Sequence, residues 1–179
     1  LKLDKVPKHM IVVGGGAIGL EMGSVWMRLG AKVTVIEFAD KICGPMDKQI
    51  SKDLLKILKK QGMTFRLGSK VTEGKIGRNG VTLKIQPRDG GKQVSCNTDV
   101  VMVAVGRRPV TEGLGLEKLG VNLDSRGFIS VNEHYQTNLD GIYAIGDVIG
   151  GAMLAHKAED EGVVCVEFIA GEPGHIDYD

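Results

Sequence analysis

Aromatic side chains are scarce: four phenylalanines, three tyrosines and one tryptophan make up 4% of 179 residues. Surfaces that stack sugars or bases lean on aromatic faces, so neither a carbohydrate nor a base-stacking platform is expected. An excess of one charge is missing too. With 23 Lys and Arg against 22 Asp and Glu the net charge is +1, which removes the electrostatic case for nucleic acid or an anionic membrane. No run of 18 or more apolar residues occurs, and nothing resembles a signal or transit peptide. The first residue is Leu1, so an upstream targeting sequence stays open. Cysteine is limited to Cys43, Cys96 and Cys165, with no C-x-x-C or C-x-x-x-x-C pair, which suggests free thiols in a reducing compartment. Cys165 reads as core and Cys43 as an incidental loop thiol. The four histidines show no ligand spacing, so no metal site is expected.

What the chain does have is glycine at a telling place. Met10-Ile11-Val12-Val13 is an apolar run that predicts a buried strand. Gly14, Gly16 and Gly19 follow at G-x-G-x-x-G spacing. A helical pattern comes next, with Ile18, Met22, Val25, Trp26 and Leu29 on one face and Gly30 at its end. A second apolar run, Val33 to Ile36, ends at Glu37. Strand, glycine turn, helix, strand and acid is the layout of a dinucleotide-binding βαβ unit. Gly14 would permit the turn, Gly16 the approach of a pyrophosphate, and Gly19 close helix–strand packing. A carboxylate at Glu37 would accept hydrogen bonds from ribose hydroxyls and repel a 2′-phosphate. That favours NAD over NADP.

The remaining pattern extends this unit. Leu1 to Pro7 is a polar approach segment. A helix is predicted from Asp47 to Gln61, with Ile50, Leu54, Ile57 and Leu58 at helical spacing, and a third strand at Thr64 to Leu67. From Lys70, short alternating segments (Val71-Thr72, Val81 to Gln86, Gln93 to Cys96) are joined by Asn79-Gly80 and Asp89-Gly90-Gly91. These are the signals of an inserted antiparallel meander. Asp99 to Val105 predicts a strand returning to the parallel sheet, stopping at Gly106-Arg107-Arg108-Pro109. In open α/β sheets ligands lie beyond such strand ends. Arg107 and Arg108 read as surface residues that could meet phosphate or carboxylate. Further strands are predicted at Phe128 to Val131 and in the run that ends at Gly146-Asp147. A short helix is expected near Leu116 to Leu119, and a last one from Met153 to Ala170 with Ala155, Ala158, Gly162, Val163, Val166 and Ile169 placed for close packing. The expected fold is α/β: a parallel sheet with an inserted meander, then a segment of a second domain.

The stretches Gly14 to Glu21, Val33 to Phe38, Gly106 to Pro109, Thr137 to Asp147 and Met153-Leu154-Ala155-His156-Lys157-Ala158-Glu159-Asp160-Glu161-Gly162 together resemble the flavin-dependent pyridine nucleotide–disulfide oxidoreductases. Among these, the match is to the enzymes that oxidise dihydrolipoamide, and it runs through essentially the whole chain. The resemblance implies a Rossmann-type NAD-binding domain over residues 1–110 and, over 111–179, a central segment completing an FAD-binding domain. It implies NAD contacts at Gly14, Gly15, Gly16, Ala17, Ile18, Gly19, Leu20, Glu21, Glu37, Val71 and Gly106. It places Asp147 on the FAD ribityl chain and Met153, Leu154, Ala155 and His156 beside the isoalloxazine. Glu21 matches a carboxylate that pairs with a flavin-side lysine. Where Ala17 stands, some relatives carry an aromatic side chain over the flavin.

The resemblance further implies electron flow from dihydrolipoamide, on a lipoyl carrier protein, through a disulfide and FAD to NAD⁺. The setting would be a 2-oxo acid dehydrogenase complex in the mitochondrial matrix, or the cytoplasm in bacteria, with homodimers as the usual assembly. The family's first G-x-G-x-x-G and its C-x-x-x-x-C disulfide are not found in the chain, and the resemblance implies that His156, although it opens the string H-x-x-x-x-E to Glu161, is not the histidine of the family's acid–base pair. It is therefore expected to be a fragment with no catalytic residue of its own. Three alternatives stay open: an NADPH-dependent disulfide reductase, a two-substrate dehydrogenase, and a nucleotide-binding module without redox turnover.

Overall fold

A computed structural model describes residues 3–178. Leu1, Lys2 and Asp179 lie outside the described residues, and with them the start of the predicted approach segment. The chain divides into two compact units, Leu1–Gly106 and Arg107–Asp179.

In the first unit, strands β1 (His9–Val13), β2 (Lys32–Ile36) and β3 (Thr64–Arg66) alternate with helices α1 (Ala17–Arg28) and α2 (Lys48–Lys60). Three antiparallel strands follow, β4 (Ser69–Gly77), β5 (Gly80–Pro87) and β6 (Val94–Thr98), and then β7 (Val100–Val103). The parallel sheet has the order β3-β2-β1-β7 and the meander the order β4-β5-β6. Register sets Val12 beside Val35 of β2 and Met102 of β7. Period-2 alternation sorts β1 between two cores. Met10 and Val12 join Leu20, Val33, Val35, Leu58 and Met63 in one buried cluster. Ile11 joins Ile36, Leu83 and Ile85 in another, so β5 of the meander covers the second face of the sheet. A parallel sheet has to be covered on both faces, and here strands do on one side what helices do on the other.

Helix boundaries agree with the pattern to within a residue or two, but the predicted faces are covered only in part: Trp26 of α1 and Leu54 and Leu58 of α2 pack on the core. α1 buries Gly19, Leu20 and Gly23, while Ile18, Val25 and Leu29 are exposed. A stripe of small residues lets the helix axis approach the sheet: a Cβ on Gly23 would already touch Met63 and Val33 at 3.4 Å. α2 is capped by Asp47, whose carboxylate accepts from Gln49 N and Ile50 N. These N–H groups, Ile50 first, hold the Asp47 carboxyl below the usual range. It buries Ser51 and Leu58 and leaves Ile50 and Ile57 exposed. Between β4 and β5 the turn is Arg78-Asn79; Gly80 opens β5, where a Cβ would lie 2.3 Å from the Thr98 carbonyl oxygen.

The second unit holds α3 (Leu116–Leu119), a 3₁₀ turn (Gly146–Ile149) and α4 (Ala155–Ala170). The strands predicted at Phe128 to Val131 and before Asp147 are reduced to isolated bridges, Leu123 with Ile129 and Gln136 with Tyr143. A strand needs a ladder partner along its length, and among the described residues of this unit neither run has one. α4 begins two residues later than Met153. It buries Lys157, Glu161, Val164 and Cys165; of the residues expected to pack, Ala158 and Gly162 do so, against Gly146 and Ile145, while Val163, Val166 and Ile169 turn outward. No helix among the described residues is long and apolar enough to cross a membrane.

Candidate functional site

In the first unit the glycine turn leaves β1 and enters α1 at the carboxyl end of the sheet. Gly14 has φ +110° and donates its N–H to the Ile36 carbonyl at 2.8 Å. A Cβ there would sit 2.3 Å from the Ala104 carbonyl oxygen. A Cβ on Gly19 would meet the Gly14 carbonyl oxygen, also at 2.3 Å. Both positions are closed to any side chain by backbone. Gly16 is the opposite case: it is the N-cap of α1, and nothing lies within 4 Å of where its Cβ would be. No side chain caps α1 and its first turn carries no acid, which leaves the positive end of the helix facing open space. That combination suits a diphosphate.

Glu37 stands beside this turn. Its Oε2 accepts the Gly15 N–H at 2.5 Å and its Oε1 accepts the Ala39 N–H at 2.7 Å. Each carboxylate oxygen keeps a second lone pair, so two adjacent hydroxyls can still donate to it. Gly106 has φ +139° and open space around its Cβ position. Ala17, Ile18 and Glu21 are exposed on the first two turns of α1, and Leu20 is buried under them. The Val71 side chain packs against the Ile11–Ile36 cluster beside a bulge in β4. Cys43, which donates its N–H to the Gly15 carbonyl, is buried at φ +47°. Burial, followed by the Glu21 charge, pushes its thiol pKa up, so it is not poised as a nucleophile.

In the second unit Asp147 sits in the 3₁₀ turn with half of its side chain exposed. Arg107 Nη1 lies 3.5 Å from Asp147 Oδ2, and Arg107 Nη2 donates to the Met153 carbonyl at 2.5 Å. One guanidinium thus ties Asp147 to the Met153–His156 segment, in which Leu154, Ala155 and His156 are exposed. Arg107 is exposed, as expected, and the carboxylate it meets is that of Asp147, which the sequence did not single out as its partner. Sequence reasoning also missed Glu161, which is 1% exposed and accepts the Gly146 N–H through Oε2 at 2.7 Å. The signal was present: Lys157 and Glu161 share a helical stripe with Val164, Cys165 and Phe168, so a polar pair falls on the apolar face.

Residues 1–162 match the family model "Pyridine nucleotide-disulphide oxidoreductase". The chain belongs to this family. A dihydrolipoyl dehydrogenase, mitochondrial, of Pisum sativum is 53% identical over 179 residues, covering 100% of this chain and 36% of the relative. A leghemoglobin reductase of Vigna unguiculata is 55% identical, covering 100% of this chain and 34% of the relative. The HOCl-induced flavoprotein disulfide reductase RclA from Escherichia coli superposes with a TM-score of 0.87 at 29% identity, covering 97% of this chain and 38% of that one. The chain therefore spans about a third of the length of the relatives it matches. Within a pyridine nucleotide-disulphide oxidoreductase, the parallel sheet, the covering meander and the open glycine turn fall into a known architecture.

Proposed function

We propose that this chain is the NAD-binding part, and a piece of the FAD-binding part, of a dihydrolipoyl dehydrogenase. On this reading residues 1–110 form the NAD domain and 111–179 the central segment of the FAD domain. The observation that carries it is the open cradle at Gly16 next to a carboxylate, Glu37, already oriented by two backbone N–H groups.

The residues present fit both groups. For NAD, the N-terminus of α1 would take the diphosphate, Glu37 the adenosine ribose, and Gly106 would allow the backbone to approach; Ala17 to Glu21 and Val71 would line the remainder. For FAD, the half-exposed Asp147 carboxylate offers free acceptors for ribityl hydroxyls, with Met153 to His156 alongside. FAD and NAD supply the redox chemistry when bound; these residues hold them in position. On this reading Ala17 would leave the flavin-side face less gated than an aromatic residue would, and Glu21, exposed on α1, would pair with a flavin-side lysine.

The whole flavoprotein would reoxidise dihydrolipoamide on a lipoyl carrier protein of a 2-oxo acid dehydrogenase complex, as a homodimer. The mitochondrial name carried by the Pisum sativum relative supports placement in the matrix. Titration calorimetry tests the cofactor assignment. NADH should bind the chain at least tenfold more tightly than NADPH, because a 2′-phosphate would meet the Glu37 carboxylate and the loop after β2 offers Asp40 and no arginine, a difference of about 1.4 kcal/mol. Equal binding of the two would favour an NADPH-dependent disulfide reductase.

A further inference from the structure

We propose that Glu161 is a positioning residue for Asp147, acting through the Gly146 N–H; the proposal rests on the reading of Asp147 as the ribityl contact. Asp147 has no anchor of its own in the core, since its side chain is half exposed. The residue before it is held hard. Gly146 is buried at φ +73°, its N–H lies 2.7 Å from Glu161 Oε2, and a Cβ there would be 3.1 Å from Ala158 Cβ. The turn is seated on α4, with Glu161 its only charged acceptor among the described residues.

Burying a carboxylate is costly, and a helix keeps one only where the charge is answered. Here the other oxygen, Oε1, lies 2.6 Å from Lys157 Nζ and accepts the Tyr178 hydroxyl at 3.0 Å. Tyr178 in turn meets the Tyr135 hydroxyl at 2.9 Å. Lys157 is close enough for an ion pair, yet its ammonium is poorly aligned for a hydrogen bond and is otherwise unpartnered. It answers Glu161 as a charge rather than as a directed donor. Its stem runs under the far end of the same loop, where a Cβ on Gly151 would be 3.2 Å from Lys157 Cε. The pair therefore grips both ends of the Gly146–Gly151 segment that carries Asp147. A helix-stabilising role alone would not need this geometry, because the acid would serve as well facing solvent.

The test uses the whole flavoprotein with four variants, D147A, E161Q, Y178F and the double variant D147A/E161Q. It reads FAD release by flavin fluorescence and the visible circular dichroism of the bound flavin, with NADH affinity as a control on the first unit. D147A should speed FAD release tenfold or more. E161Q leaves one amide oxygen to serve Gly146 or Tyr178 but not both, and should also speed release about tenfold, as expected for loss of a charged hydrogen bond. Y178F should speed it a few-fold, and both variants should alter the flavin dichroism. In the double variant E161Q should add little to D147A, because the two act on one contact. If D147A releases FAD at the wild-type rate, the ribityl reading fails and the proposal with it. If D147A acts while E161Q and Y178F do not, or if E161Q adds its full effect to D147A, the positioning role alone is overturned. Should E161Q fail to fold, Y178F decides in the same way.

Discussion

Gly16 and Gly19 share one motif and carry different burdens, which makes them separable by a methyl group. A Cβ on Gly19 overlaps the Gly14 carbonyl oxygen, so G19A should destabilise the first unit by about 1–3 kcal/mol in urea denaturation. A Cβ on Gly16 meets nothing within 4 Å, so G16A should cost less than about 1 kcal/mol while weakening NADH binding. Loss of stability in G16A without loss of affinity would mean that the open space serves the fold and not a ligand. Tyr178 supports a prediction of another kind. Burial first, and then its hydrogen bonds to Tyr135 and Glu161, push its hydroxyl pKa above the ordinary tyrosine range. The folded state therefore holds this proton more tightly than the unfolded state does. Stability from this source is complete below the ordinary pKa, about 10. It falls as pH rises above that value toward the folded pKa. Thermal melts of wild type and Y178F between pH 9 and pH 11 should converge, with wild type losing more over the interval.

At the scale of the element, Arg107 is the informative case. Its ion pair with Asp147 is about half exposed on both sides, and such pairs contribute between zero and about 1 kcal/mol to stability. R107A should accordingly melt near the wild-type temperature. On the proposed reading it should still release FAD several-fold faster, because Asp147 and the Met153 carbonyl lose their shared donor. An unchanged release rate would leave Arg107 with no role beyond the surface. The helices show how far periodicity reaches at this scale. Their existence and ends follow from caps and breakers such as Gly30 and Asp47, which act within a turn or two of chain. Which residues of a predicted face they bury follows only in part. In α1 the glycines win over Ile18, Val25 and Leu29 because closeness to the sheet matters more than the size of any one side chain. In α4 the buried stripe holds Lys157 and Glu161, whose partners Gly146 and Tyr178 are distant in sequence.

For the whole molecule, the cofactor cradle and the thiol chemistry are separable. The chain carries no C-x-x-x-x-C, two of its three cysteines are buried, and burial raises the pKa of both Cys43 and Cys165. Incubated alone with dihydrolipoamide, FAD and NAD⁺, it should form no NADH above the uncatalysed rate, while still binding NADH. Lipoamide-dependent turnover by the chain alone would overturn the assignment of the dithiol step to residues outside it.

The parallel sheet, the glycine turn, the acid at Glu37 and the meander were all legible in the sequence by itself, because each is set by short-range chemistry. Apolar runs make strands, glycines make the turn, and Asn79-Gly80 and Asp89-Gly90 mark hairpins. Tertiary structure alone decided three things: that the meander covers the second face of the sheet, that Arg107 grips Asp147, and that a buried Glu161 holds the turn before it. In each case the partner lies far along the chain, as Leu83 does from Ile11 and Gly146 from Glu161. No local pattern encodes a contact whose energy exists only after the chain has closed the loop between its ends.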